Sequence, residues 1–296
     1  MSPAAEHGFR RVAIIGLGLM GGSLALALRR LPAPPRIAAS TAHAADLDRA
    51  LALGIVDDAA NDPAAVLPEA DLVVYATPVG ATLELLGAHR ELYAGDAVLT
   101  DLGSVKRPVV SRARALGLAG RFVGGHPMTG SHRSGLAAAR AGLYDGARVW
   151  LTPAAGSGAG GAPGRSAAAS AALDRVAALW RGLGAHPAVT GAEEHDWLMA
   201  WASHLPQLGA SGLAGALARA GIARTDLGPG GADATRIAAG SPALWADILL
   251  HNADLLRRPL EELRGVLAEL ADALERGDRE MLQGLLARAS AWRAED

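Results

Sequence analysis

Gly16-Leu17-Gly18-Leu19-Met20-Gly21 follows directly on the apolar run Val12-Ala13-Ile14-Ile15 and opens a helix-like stretch. A G-x-G-x-x-G between a buried strand and a helix has a specific physical use. The first glycine makes a tight turn, and the second lets backbone approach a pyrophosphate. The third allows the helix to pack closely on the strand, while the helix N-terminus faces the phosphates. The chain holds 37 glycines, so the spacing carries weight only because of its strand–loop–helix setting. It reads as a dinucleotide-binding loop, with Gly16, Gly18, Leu19, Met20 and Gly21 at the cofactor.

The fold follows from what comes after. Strand-like runs at 36–40, 71–76 and 97–100 alternate with helix-like runs at 23–31 and 45–53. That alternation predicts an α/β Rossmann-type, doubly wound parallel sheet. Residues 154–170 (AAGSGAGGAPGRSAAAS) are expected to form a mobile surface insert, since such a composition builds no packed core. A helix at 173–183 and a strand at 185–189 return the chain to the sheet. From residue 193 the sequence is helix-rich. The expected division is a dinucleotide-binding Rossmann domain over 1–190 and an all-α substrate and dimerisation domain over 191–296. Trp197, Leu198, Trp201, Leu205 and Leu208, then Leu244, Trp245, Ile248 and Leu249, exceed what one small bundle buries, so a homodimer is expected.

Composition removes several classes. A net charge of −2 offers no field for nucleic acid. The absence of cysteine excludes disulfides, thiolate zinc sites and cysteine nucleophiles, and fits a reducing cytoplasm. The nine histidines show no zinc-ligand spacing, so no metal is expected. Arg10 and Arg11 before the apolar stretch 12–28 imitate a signal peptide, but the glycines explain that stretch better. No other run reaches the ~20 apolar residues that span a bilayer. Lys106 is the only lysine among 28 Lys+Arg, which suits a site needing a compact ammonium that guanidinium cannot replace.

The dinucleotide fingerprint is incomplete. An acid about 20 residues beyond the loop should bond the ribose 2′-OH. Here that region reads Ala39-Ser40-Thr41-Ala42-His43, and Asp46 and Asp48 belong to the first turn of the next helix. Ser40 and Thr41, with Thr77 and Pro78 after the 71–76 strand, complete the expected cofactor-binding set. Two hydroxyls in place of an acid remove the repulsion of a 2′-phosphate, so NADP is expected to serve at least as well as NAD.

Three later segments pair glycines with reactive side chains: Asp101-Leu102-Gly103-Ser104-Val105-Lys106, Gly124-Gly125-His126-Pro127-Met128-Thr129-Gly130-Ser131, and Thr235-Arg236-Ile237-Ala238. With the GxGLMGGS loop at 16–23, Ser203-His204-Leu205-Pro206 and the W-x-D-I block at 245–248, they resemble the prephenate/arogenate dehydrogenase family of tyrosine biosynthesis. The resemblance runs in order through nearly the whole chain. It implies an NAD(P)-dependent oxidative decarboxylation of prephenate to 4-hydroxyphenylpyruvate. His126 would take the proton of the ring hydroxyl as hydride leaves, and Ser104 would hold that hydroxyl or orient the histidine. Arg236 would clamp a substrate carboxylate, and His204 would line the pocket. Trp245 is core or pocket wall. Lys106 and His132 join the expected substrate-binding residues.

Two positions depart from many relatives. Gln207 stands where a second histidine is frequent, and His132 where some carry an acid near the substrate side chain. Without an acid to pair with an ammonium, prephenate is favoured over arogenate. No further domain is expected after residue 296, so feedback by tyrosine would act at the active site. Two rivals remain: a β-hydroxyacid dehydrogenase, which needs a catalytic lysine in its second domain, and a nucleotide-sensing Rossmann protein without chemistry. Glu193-Glu194-His195-Asp196 looks like a metal cluster but reads better as the capped, charged start of a helix.

Overall fold

The computed structural model describes residues 8–131, 133–156 and 166–294. The first part runs β1 (Arg11–Ile15), α1 (Leu19–Arg29), β2 (Arg36–Ser40), α2 (Ala44–Ala52), β3 (Asp58–Ala60), β4 (Leu72–Tyr75), α3 (Val79–Ala88), β5 (Val98–Asp101), α4 (Arg107–Ala115), β6 (Phe122–Pro127), β7 (Arg148–Pro153), α5 (Ala167–Gly182) and β8 (His186–Val189). These strands make one sheet in the order β3-β2-β1-β4-β5-β6-β7-β8. Successive side chains leave opposite faces of a strand, and both faces are covered. Val12 and Ile14 enter the core that holds Leu24 and Trp180, while Ala13 and Ile15 enter the one that holds Tyr75 and Phe122. The chain winds outward from β1 to β3, then returns to lay β4 on the other side of β1. The strand order reverses there, opening the crevice in which such sheets take ligands.

The sheet departs from an all-parallel one. β7 runs antiparallel to β6, with Trp150 opposite His126, and parallel to β8. The expected insert also shrinks. Ala154 is buried and donates its N–H to the Phe122 carbonyl (3.0 Å), and Ser166 caps α5 through the Ala169 N–H (3.2 Å). Residues 157–165 of that segment lie outside the described residues.

The second part is helical: α6 (Ala192–Met199), a π-helical turn (Ala200–His204), α7 (Leu205–Arg219), α8 (Pro229–Thr235), a 3-10 turn (Arg236–Ala239), α9 (Pro242–His251), α10 (Ala253–Arg276) and α11 (Arg279–Ala294). Pro206 has no N–H to give the carbonyl four residues back, and the helix widens into its π turn just before it. Much of the apolar surface here stays uncovered: Leu250 is 75% exposed, Trp292 74% and Leu274 66%. Polar contacts tie the two parts together. Asp247 of α9 accepts from the Gly80 N–H at the start of α3 (3.2 Å), and Arg107 Nη1 donates to Asp254 of α10 (2.8 Å). No helix among the described residues is long and apolar enough to cross a membrane.

Candidate active site

Two strand ends build the dinucleotide crevice. Gly16 has φ +101°, and a Cβ there would meet the Ala76 carbonyl oxygen at 2.6 Å, so β1 and β4 close on each other only through a glycine. A Cβ at Gly21 would lie 1.9 Å from the Gly16 oxygen, which holds α1 hard against its loop. Gly18 is different: a Cβ there would meet nothing within 4 Å. It caps α1, whose first residues are Leu19 and Met20. An open glycine at a helix N-terminus is what a pyrophosphate requires, and the residues present fit a dinucleotide. Thr77 Oγ1 lies 2.8 Å from Thr82 Oγ1, and the Thr77 side chain borders Gly16, while exposed Pro78 caps α3.

The end of β2 differs from expectation. Ser40 is buried, and its hydroxyl donates to the Asn61 carbonyl (3.0 Å), so it is committed within the fold. Thr41 is partly exposed, with its carbonyl accepting from Asn61 Nδ2 (3.3 Å), and exposed His43 caps α2.

His126 sits near the C-terminal end of β6, buried at 7% exposure. Its Nδ1 lies 2.8 Å from His195 Nε2, and His195 Nδ1 lies 2.7 Å from Asp196 Oδ1. Both carboxylate oxygens of Asp196 also accept backbone N–H groups, from Lys106 and Arg107 (2.7 Å each), at the start of α4. The proton positions follow by elimination. A carboxylate accepts, so His195 Nδ1 donates. Burial lowers the His195 pKa, leaving Nε2 as an acceptor for the N–H of His126 Nδ1. Burial, with His195, Lys106 and His204 nearby, holds the His126 pKa well below its ordinary value. The product is a neutral imidazole with its basic lone pair on Nε2.

The strand that carries His126 is fixed from behind. Lys106 is wholly buried; its ammonium donates to Asp101 and to the Gly125 carbonyl (2.7 Å). Asp101 accepts in turn from the N–H groups of Gly103 (2.9 Å) and Gly125 (3.2 Å). The lone lysine therefore braces two glycine turns from within the core rather than reaching outward, as a substrate-binding role required. A Cβ at Gly125 would lie 2.6 Å from the Asp101 carbonyl oxygen, which explains a glycine directly before His126. Ser104, on the same turn, is partly exposed and has no hydrogen-bond partner among the described residues.

From the helical part, the π turn brings in His204, wholly buried, and its ring stands edge-on to Trp245 with 6.2 Å between centroids. Trp245 is partly buried against the core that holds Tyr75 and Phe122. Arg236 is exposed at the start of its 3-10 turn and forms no ion pair among the described residues. His132 lies outside the described residues. No group of three or more His, Asp or Glu among the described residues is placed to hold a metal.

Comparison with known proteins decides the family. A sequence model of the prephenate dehydrogenase nucleotide-binding domain matches residues 24–188, and one of the prephenate dehydrogenase dimerization domain matches 191–288. The chain belongs to the prephenate dehydrogenase family. It is 34% identical over 278 residues to prephenate dehydrogenase of Bacillus subtilis, a match covering 92% of this chain and 72% of that one. It is 33% identical over 282 residues to cyclohexadienyl dehydrogenase of Zymomonas mobilis, covering 93% and 92%. Among solved structures it is similar to prephenate dehydrogenase from Aquifex aeolicus in complex with hydroxyphenyl propionate and NAD+. That similarity has a TM-score of 0.84 at 29% identity and covers 96% of this chain and 97% of the other.

Four residues of this dehydrogenase site were not read as site residues in its sequence: His195, Asp196, Asp101 and Asn252. Glu194 does cap α6, accepting from the Gly191 N–H (3.2 Å), as the charged segment suggested. His195 and Asp196 instead turn inward with Ala192 and Met199. That i, i+3, i+4, i+7 stripe was the available signal, since a histidine and an aspartate on a buried face must find partners. Asp101 stood in a quoted segment, with nothing there to show that it would meet Lys106. Asn252 offered no signal.

Proposed function

We propose that the chain is a prephenate dehydrogenase: it oxidises prephenate with NAD or NADP and releases carbon dioxide, giving 4-hydroxyphenylpyruvate for tyrosine biosynthesis. The single observation that carries this reading is the His126–His195–Asp196 chain, which leaves a basic nitrogen at the C-terminal edge of the sheet. When bound, the nicotinamide supplies the hydride acceptor. His126 Nε2 takes the proton of the ring hydroxyl as hydride departs from the same carbon. The ring carboxylate then leaves as carbon dioxide, and its electron pair makes the ring aromatic. The proton returns from His126 to the oxygen, so the product is a phenol and the imidazole is neutral again. Ser104 holds the hydroxyl, exposed Arg236 clamps a carboxylate of the substrate, and His204 and Trp245 wall the pocket.

Supporting parts of the reading are the open Gly18 and the Gly16/Thr77/Pro78 crevice for the cofactor. The ligands named for the Aquifex aeolicus relative, NAD+ and hydroxyphenyl propionate, suit the same chemistry. The end of β8 at Val189 and the start of α6 at Ala192 support a domain boundary near residue 190. The uncovered apolar side chains of α7, α10 and α11 support a homodimer, and we place the enzyme in the cytoplasm. A second reading, oxidation of arogenate, is favoured by the match along 92% of a cyclohexadienyl dehydrogenase. The test is to follow reduced nicotinamide by absorbance with prephenate and with arogenate, each with either cofactor. Faster turnover of prephenate upholds the proposal, faster turnover of arogenate replaces it with the second reading, and turnover of neither removes both.

A further inference from the structure

Asn252, between α9 and α10, is wholly buried and touches three elements. Its Nδ2 donates to the Asp196 carbonyl (2.9 Å), its Oδ1 accepts from Arg107 Nη2 (3.2 Å), and its Nδ2 also lies 3.2 Å from His204 Nδ1. An amide is ambiguous by itself, because oxygen and nitrogen can exchange places. Here two neighbours remove the ambiguity. A carbonyl can only accept and a guanidinium can only donate, so the amide has one orientation. The second N–H of Asn252 therefore goes to His204, whose Nδ1 must accept it. The proton of the neutral ring is forced onto Nε2. That nitrogen is buried and has no hydrogen-bond partner among the described residues. An unmatched buried N–H costs about 1–3 kcal/mol, so this one points to a partner that binds beside it.

We infer that Asn252 is a positioning residue that fixes His204 as an Nε2–H donor, and that this donor is satisfied by an oxygen of the bound substrate. The inference rests on the reading of His204 as a wall of the prephenate pocket. His204 lies in the electrostatic surroundings of His126, and His195 lies in those of both rings. Burial pushes the His204 pKa down to about 4, so the ring is a neutral donor through the working range of the enzyme. Because Asn252 also bonds the Asp196 backbone, one side chain registers the donor histidine and the His126–His195–Asp196 chain together. A donor at this place selects for carbonyl or carboxylate oxygen and against an ammonium, which has no lone pair to accept with.

The test begins with the unmutated full chain. Nitrogen NMR of 15N-histidine-labelled enzyme, with His204 assigned by its loss in His204→Gln, reads the tautomer directly. Nε2 protonated at neutral pH is the expected result, and Nδ1 protonated overturns the inference. Asn252→Asp then replaces the donor by a carboxylate that accepts from Nδ1–H and reverses the tautomer. We expect kcat/KM for prephenate to fall at least about tenfold, with the cofactor Kd unchanged. A reversed tautomer with unchanged kcat/KM overturns the role assigned to the donor. A wild-type chain that shows Nε2–H but turns over no cyclohexadienyl substrate defeats the functional reading instead, while the tautomer assignment stands.

Discussion

His126 Nδ1 and His195 Nε2 lie 2.8 Å apart, two imidazoles in series, with Asp196 2.7 Å beyond the second. The first ring is thereby held in the tautomer whose free nitrogen, Nε2, is able to accept a proton, the arrangement that a buried aspartate gives the histidine of a hydrolytic triad. His195→Asn removes the acceptor and lets His126 rotate or change tautomer. We expect kcat to fall at least about tenfold with little change in cofactor affinity, a loss within the range that general bases contribute. The acid limb of kcat/KM in the wild type should lie below the ordinary histidine pKa of about 6.5, since burial lowers that of His126. That corrects the limb near 6.5 that an unperturbed histidine would give. A limb at or above 6.5 contradicts the assignment.

The same burial carries a stability signature. His89, His126, His195 and His204 all have lowered pKa values, with desolvation the leading cause. The unfolded chain takes up these protons near pH 6.5 while the folded chain refuses them. Stability is therefore full above about pH 6.5 and is lost as the pH falls toward the folded values, about 4 for His204. Tm should drop steadily over that window; a flat Tm down to about pH 5 speaks against four neutral buried rings.

The Lys106–Asp101 pair tests whether the strand under His126 is braced from within. Both side chains are at most 1% exposed, so Lys106→Met leaves a buried carboxylate uncompensated. Breaking such a pair costs about 3–5 kcal/mol. The double variant Asp101→Asn/Lys106→Met should lose clearly less than the sum of the single losses in urea denaturation. Additive losses would mean that the two groups do not interact.

Cofactor choice turns on the end of β2. No acid stands there to repel a 2′-phosphate, but Ser40 spends its hydroxyl on Asn61, leaving Thr41 and His43 to attract one. We predict that NADP is used at least as well as NAD, with modest discrimination. Measuring kcat/KM for each at saturating prephenate decides it. A preference for NAD above about a hundredfold, ~2.7 kcal/mol, contradicts the prediction.

Local pattern carried much of this molecule. The glycine loop sits between β1 and α1 because turn, close approach and helix dipole all act within a few residues, and the helical run after residue 190 follows from periodicity. β7 was not legible, because RVWLTP carries no sign of running antiparallel to β6. The site divided in the same way. His126, Ser104 and Arg236 stand in short motifs that resemble a known family. The partners of His126 and Lys106 include residues 69 and 19 positions away, respectively. Ser40 was misjudged for a related reason: its hydroxyl is claimed by Asn61, 21 residues away. Short-range chemistry shows which groups are present, but not which of them tertiary packing has already committed.

The central claim is that His126 is the base. Its most direct measurement is the turnover of prephenate by His126→Asn, with cofactor Kd measured on the same sample. Asparagine keeps a hydrogen-bonding group of similar reach but cannot accept the hydroxyl proton. The account predicts a loss of about 10²–10⁴-fold in kcat with cofactor binding intact. Near-normal turnover by His126→Asn would contradict it.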